Sequence, residues 1–254
     1  MRFQLFAARG ALAALVLAVL AGMAAVACVR LGLLTDKAGS TLMIPATTLG
    51  LVSLVLALLW LRSALVRNTG EGKRLGLIAL TGSLAFLYFP LAYVYYGYMD
   101  LPIHDATTDP EDPPQFVALA QVHPANSRVF DGTSKIAYKG EQVPIAYALH
   151  DKYYLTLTKP HVGLLITPQK AYWRAHDAVQ KLGWTIVDAS EKDLRIEATD
   201  RSLWFGRISD IVLRIRPAGS IGVRVDVRSE SRDGAIDHGR NVARLKAFFR
   251  QFRF

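Results

Sequence analysis

The chain is predicted to be an α+β protein, with three membrane-spanning helices ahead of a small domain of about four antiparallel strands packed on two helices. Three observations predict it. Three long apolar runs without a charge fill the first 98 residues. Only two acids, Asp36 and Glu71, occur in that stretch, and all the others lie beyond Met99. The later sequence then alternates apolar and polar residues with the period of strands, between two segments of helical period.

The apolar runs are Ala11–Val29, Leu42–Leu61 and Leu75–Tyr98. A helix needs about 20 apolar residues to cross a hydrocarbon core, and none of the three shows the polar stripe of a buried soluble helix. Orientation follows from the basic residues. Arg2 and Arg9 precede the first run, and Arg62, Arg67, Lys73 and Arg74 crowd the loop between the second and third. Such ends stay in the cytoplasm. Residues from Met99 on are therefore expected outside, which in a bacterium means an inner-membrane protein with a periplasmic C-terminal domain. Tyr88, Phe89, Tyr93, Tyr95, Tyr96 and Tyr98 crowd the outer half of the third run, where amphipathic rings suit the headgroup level. Ala25-Val26-Ala27-Cys28 resembles a lipoprotein processing site, but an ordinary cysteine in a membrane helix is the expected reading.

Residues 99–121 form a Pro- and Asp-rich connector. Pro102, Pro110, Pro113 and Pro114 forbid a regular helix there, so an extended segment is expected. Within the domain proper, 122–254, Thr167-Pro168 reads as an N-cap with proline at the first helical position. Ala171, Ala175, Ala178, Val179 and Leu182 continue with helical spacing up to Gly183. Trp184–Ala189 with Leu194–Thr199, and Ile211–Arg216 with Ile221–Ser229, read as two hairpins. In the second, Ile211, Leu213, Ile215, Val223, Val225 and Val227 make a core face. Asp210, Arg214, Arg216, Arg224, Asp226 and Arg228 make a polar one. Paired positions must then differ by an even number, and a register with Asp210 opposite Arg228 satisfies this. A final helix is expected from about Asp237 to Phe252, with Val242, Leu245, Phe248, Phe249 and Phe252 on its apolar face.

The densest constellation runs from Arg228 to Asn241. Its pattern, R-S-x-S-R-x-G-x-x-D-x-G-x-N, resembles the signature of the DUF1499 family, found in bacteria and plastids. Arg228, Ser229, Ser231, Arg232, Gly234, Asp237, Gly239, Asn241 and Arg244 carry the match. His104-Asp105, Thr108-Asp109 and Pro113-Pro114 resemble its N-terminal motif, and Gly183-Trp184, Glu197-Ala198 and Trp204-Phe205 also fit. The chain departs from the family pattern at Ser209-Asp210, where two aspartates are usual. The resemblance implies fold context and an envelope association and implies no activity.

Physically, Arg228, Arg232 and Arg244 offer forks for phosphate or carboxylate, and the N-terminus of the last helix offers backbone donors, with Asp237 as its cap. One reading is an anion-binding corner built from Arg228, Ser229, Ser231, Arg232, Asp237, Asn241 and Arg244, with Asp105 and Asp109. It would hold a lipid headgroup, a glycan acid or a nucleotide-like ligand. The favoured reading is an Arg–Asp network that locks the strand-to-helix corner, with Arg228 or Arg232 bonded to Asp105 or Asp109. A hydrolase or transferase acting on envelope lipid or glycan would need a base beside Ser229 or Ser231, and no nucleophile-elbow motif is present. No cofactor and no metal site are expected, since His104 lacks a second histidine at ligand spacing. Nucleic acid is excluded as a partner by the outside location and by a net charge of only +3 from Met99 on. Membrane lipid, an anionic headgroup or envelope glycan, and other membrane proteins are the expected partners.

Overall fold

The computed structural model describes residues 2–67, 71–122, 130–157, 161–164, 166–219 and 222–252. It divides into two compact units. The first is Met1–Tyr95 with Leu203–Gly206, and the second is Tyr96–Ser202 with Arg207–Phe254.

The first unit contains α1 (Arg2–Arg30), α2 (Asp36–Arg67) and α3 (Lys73–Met99), of which the last four residues fall in the second unit. All three are long and apolar enough to cross a membrane. Each extends past its apolar run, because flanking polar residues still satisfy their backbone groups by continuing the helix. Small residues let the helices approach. Ala8, Ala11, Ala18, Ala46, Ala57 and Ala79 are fully buried, Gly76 faces the Trp60 indole, and Gly50 faces Phe86 and Leu87. One polar knot ties all three helices. Ser53 Oγ donates to Ala11 O at 2.8 Å and shares a 2.7 Å hydrogen bond with Ser83 Oγ. Tyr88, Phe89, Tyr93 and Tyr95 remain exposed, while the side chains of Tyr96 and Tyr98 lie outside the described residues.

The second unit contains β1 (Asp105–Thr107), β2 (Lys135–Tyr138), β3 (Glu141–Pro144), α4 (Ile145–Leu157), β4 (His161–Leu164), α5 (Pro168–Lys181), β5 (Thr185–Ser190), β6 (Arg195–Arg201), β7 (Ile208–Ala218), β8 (Gly222–Ser231) and α6 (Arg240–Gln251). The main sheet is antiparallel with order β1-β8-β7-β6-β5. β4 also pairs with β8, and β2 with β3 makes a separate hairpin. The four predicted strands are thus consecutive in a six-stranded sheet, with β5 at its edge. The two extra strands share one edge of β8: β4 pairs with Gly222–Val225 and β1 with Arg228–Glu230.

The α5 N-cap forms as predicted, with Thr167 Oγ1 accepting from Lys170 N at 3.2 Å. The even-number rule for the β7–β8 hairpin holds, but the register lies two residues from the predicted one. Asp210 faces Glu230 and Arg214 faces Asp226. The ladder runs on to Ala218↔Gly222, a shorter connection than the sequence suggested.

The odd-numbered β7 and β8 residues Ile211, Leu213, Ile215, Val223, Val225 and Val227 are buried. They share a core with Ala171, Tyr172, Ala175 and Val179 of α5 and with Val242, Leu245 and Phe248 of α6. Fully burying each large side chain stabilises by about 1.5–3 kcal/mol. The even-numbered face is not left to solvent. Phe116 and Leu119 of the connector pack on Val212 there, and Asp210, Asp226, Arg228 and Glu230 are all fully buried.

A polar interior between connector and sheet

The strand period decides how the Arg228–Asn241 constellation is distributed. Successive side chains of β8 point to opposite faces, so neighbours in the motif are separated by the thickness of the sheet. Arg228, Glu230 and Arg232 lie on the connector face, and Ser229 and Ser231 lie on the helix face. The motif therefore builds two sites.

On the connector face, Arg228 is 0% exposed. Its Nε and Nη2 donate to Asp105 Oδ2 at 3.0 and 2.8 Å, and Nη2 also donates to Glu230 Oε2 at 2.9 Å. The Phe116 ring covers the guanidinium at 5.2 Å. β1 is what brings Asp105 here, paired across from Glu230. Beside this lies a lattice of three arginines and three aspartates. Arg216 contacts Asp109 and Asp226 at 3.0 and 2.9 Å. Arg224 contacts the same two at 2.6 and 2.7 Å. Arg214 reaches Asp109, Asp112 and Asp226 at 3.3 Å each. A hydrogen bond from Arg216, with Arg214 nearby, holds the Asp112 carboxyl below its usual range. Arg232 forms a bidentate pair with Asp210, Nε–Oδ2 2.8 Å and Nη2–Oδ1 2.7 Å, and Thr199 Oγ1 donates to the same carboxylate. The Asp210 hydrogen bond raises the Arg232 pKa against the opposing effect of burial.

Glu197 completes this face. It is fully buried on β6, and its carboxylate accepts from the backbone N–H groups of Val117, Ala118 and Leu119 at 2.7, 3.2 and 2.8 Å. Arg195 Nε lies 3.0 Å from it. An acid that gathers three amides of a proline-rich segment fixes that segment on the sheet. Its binding role was not legible in advance; an acid between Ile196 and Ala198 in a strand was the available signal.

On the helix face, Ser229 Oγ donates to Asn241 Oδ1 at 2.8 Å. Asn241 Nδ2 donates to His104 O at 2.7 Å and to Ser231 Oγ at 3.3 Å. Arg244 Nε donates to Asp200 Oδ2 at 2.7 Å. Asp237 is not the N-cap of α6, which is Gly239 in the left-handed region at φ 77°. Its carboxylate instead accepts from the backbone N–H of Gly239 and Asn241, satisfying donors of the first turn. Burial outweighs these bonds and raises the Asp237 pKa. The Asp100 carboxylate stands where a Cβ on Gly239 would go, and the left-handed backbone there favours glycine. It also accepts from Tyr153 Oη at 2.9 Å. Backbone donors of this helix N-terminus are thus met by a carboxylate of the chain itself.

These arrangements decide what chemistry the residues offer. Each of Arg214, Arg216, Arg224, Arg228, Arg232 and Arg244 is bonded to a carboxylate of the same chain. Ser229 donates to an amide oxygen of Asn241. Of the predicted residues, Arg228 and Asp105 meet as the network reading expected. Asp109 joins Arg214, Arg216 and Arg224.

A search of curated proteins finds no significant match. Residues 105–252 match the DUF1499 family, described as a protein of unknown function. The match begins at Asp105 of β1 and ends at Phe252, the C-cap of α6, and so takes in both sides of the sheet. The chain belongs to the DUF1499 family.

Proposed function

We propose that this chain is a non-catalytic, membrane-anchored binding or interaction module of the cell envelope, with its folded domain on the extracytoplasmic side. In this reading the arginine-rich corner orders the connector, and partners meet the module elsewhere on its surface. The carrying observation is the closure of the corner: its arginines are already paired with the chain's own carboxylates on both faces of the sheet. Half-buried pairs of this kind fix conformation. The basic loop between α2 and α3 supports the inside position of that loop and hence an outside domain. The partners that fit are anionic lipid headgroups, envelope glycans and other membrane proteins.

Arg232 is the test residue, because its side chain is 28% exposed and is the most accessible of the three motif arginines. The full chain in nanodiscs of phosphatidylethanolamine and phosphatidylglycerol is examined by native mass spectrometry and thermal unfolding, with and without inorganic phosphate, beside Arg232→Ala. The expected result is no retained small molecule and a lower Tm for the variant, by the same amount in both conditions. A retained anion, lost in a variant that melts like the wild type, would make the corner a ligand site. A reporter enzyme active only outside the cytoplasm, fused after Phe254, should be active in a bacterial host. An inactive fusion would reverse the topology.

A further inference from the structure

Between β6 and β7 the chain makes a closed turn with an apolar tip. Ser202 N donates to Arg207 O at 2.9 Å, and Arg207 N donates to Ser202 Oγ at 2.9 Å, which pins the neck. The tip is Leu203-Trp204-Phe205, followed by Gly206 at φ 61°. Leu203 is 78% exposed and Trp204 54%. A strand connection in water rarely presents two large apolar side chains side by side. These residues belong to the same compact unit as the apolar helices. The Trp204 ring lies 6.2 Å from that of Phe89 on α3, the Phe205 ring lies against Gly39 in the first turn of α2, and Gly206 lies beside the guanidinium of Arg30, the last residue of α1. All three contacts lie towards one end of the bundle, where α1 ends, α2 begins and α3 approaches its own end. Phe89 is itself 62% exposed within an apolar span.

We propose that the β6–β7 turn is a membrane-inserted anchor. Leu203 and the Trp204 ring enter the boundary between acyl chains and headgroups, in the leaflet at the α1–α2 turn. Tryptophan suits that depth because its ring is apolar and its N–H stays near water. The exposed Arg201 and the Arg30 guanidinium flank the tip, where lipid phosphates lie. The tether allows it. Five residues, Asp100–His104, separate α3 from β1, a reach of no more than about 20 Å.

The proposal rests on the three helices crossing a bilayer, and the test separates the two. In the full chain with Cys28→Ser, single cysteines are placed by Leu203→Cys, Lys192→Cys and Leu51→Cys and spin-labelled. The protein is reconstituted in vesicles of phosphatidylethanolamine and phosphatidylglycerol. Collision with oxygen reports lipid, and collision with a nickel chelate reports water. The expected result is oxygen dominance at 51 and 203 and nickel dominance at 192, in the exposed β5–β6 turn. Without any label, brominated lipid should quench the part of the tryptophan emission that Trp204→Phe removes. Nickel dominance at 203 with unquenched Trp204 emission overturns the anchor. So does a label at 203 shielded from both reagents, which would mean a protein contact. Nickel dominance at 51 would overturn the membrane-spanning reading and the anchor with it.

Discussion

The β7–β8 hairpin has two faces, and both are buried by different chemistry. One presents Ile211, Leu213, Ile215, Val223, Val225 and Val227 to α5 and α6. The other presents Asp210, Arg214, Arg216, Arg224, Asp226, Arg228 and Glu230 to a connector that brings Asp105, Asp109, Asp112 and Phe116 of its own. Alternation in a strand settles which chemistry each face carries and leaves open whether that face is wet. The apolar face is held by undirected burial and tolerates reshaping. The polar face is held by directed pairs, each of which leaves a charge behind when broken.

The largest effect should come from Arg228→Ala, which strands Asp105 and Glu230 in the interior. A loss of about 3–5 kcal/mol is expected, measured by denaturant unfolding of the full chain in detergent. Converting Arg228, Asp105 and Glu230 together to Met, Leu and Leu should recover most of it. If the single variant unfolds like the wild type, the polar face is not an interior. On the opposite face, Leu213→Ala removes side-chain volume from the core and should cost about 3 kcal/mol in the same assay. Glu197→Gln keeps the shape but cannot accept three amides with a full charge. About 1–3 kcal/mol is expected, with faster amide exchange at Val117, Ala118 and Leu119 as its local signature.

The smallest effect divides the two faces by pH. Asp112 on the connector face has a lowered pKa, so its contribution is present above the unfolded value near 3.8 and is lost as pH falls through the folded one. Asp237 on the helix face has a raised pKa, so its contribution is present below the unfolded value and is lost as pH rises through the folded one. Stability profiles of Asp112→Asn and Asp237→Asn should diverge from the wild type in opposite directions. The Asp112 pair, being exposed, should contribute below about 1 kcal/mol. Parallel profiles would mean that the two sites are electrostatically one.

The sequence made the apolar face readable, because Ile/Val alternation and the Thr167-Pro168 cap are local signals. It made the polar residues readable as residues and not as an arrangement. The register was open to an even slip, since a period of two looks the same after two residues. β1 stayed hidden because three residues, Asp105-Ala106-Thr107, are too few to show alternation. Yet β1 is what carries Asp105 to Arg228. β4, with four residues, is only one longer, and α4 with the β2–β3 hairpin was not among the predicted elements. The motif itself misled in one respect. Arg228, Ser229, Ser231 and Arg232 look like one cluster when written in a line, and the pleat sends them to opposite sides.

The shortness of the link between α3 and β1 has a mechanical consequence. Only five residues intervene, and β1 is paired to β8, itself flanked by β7. The amides gathered by Glu197 clamp the same connector a dozen residues further on, so the segment that follows α3 is fastened to the sheet twice, at β1 and again at Val117–Leu119.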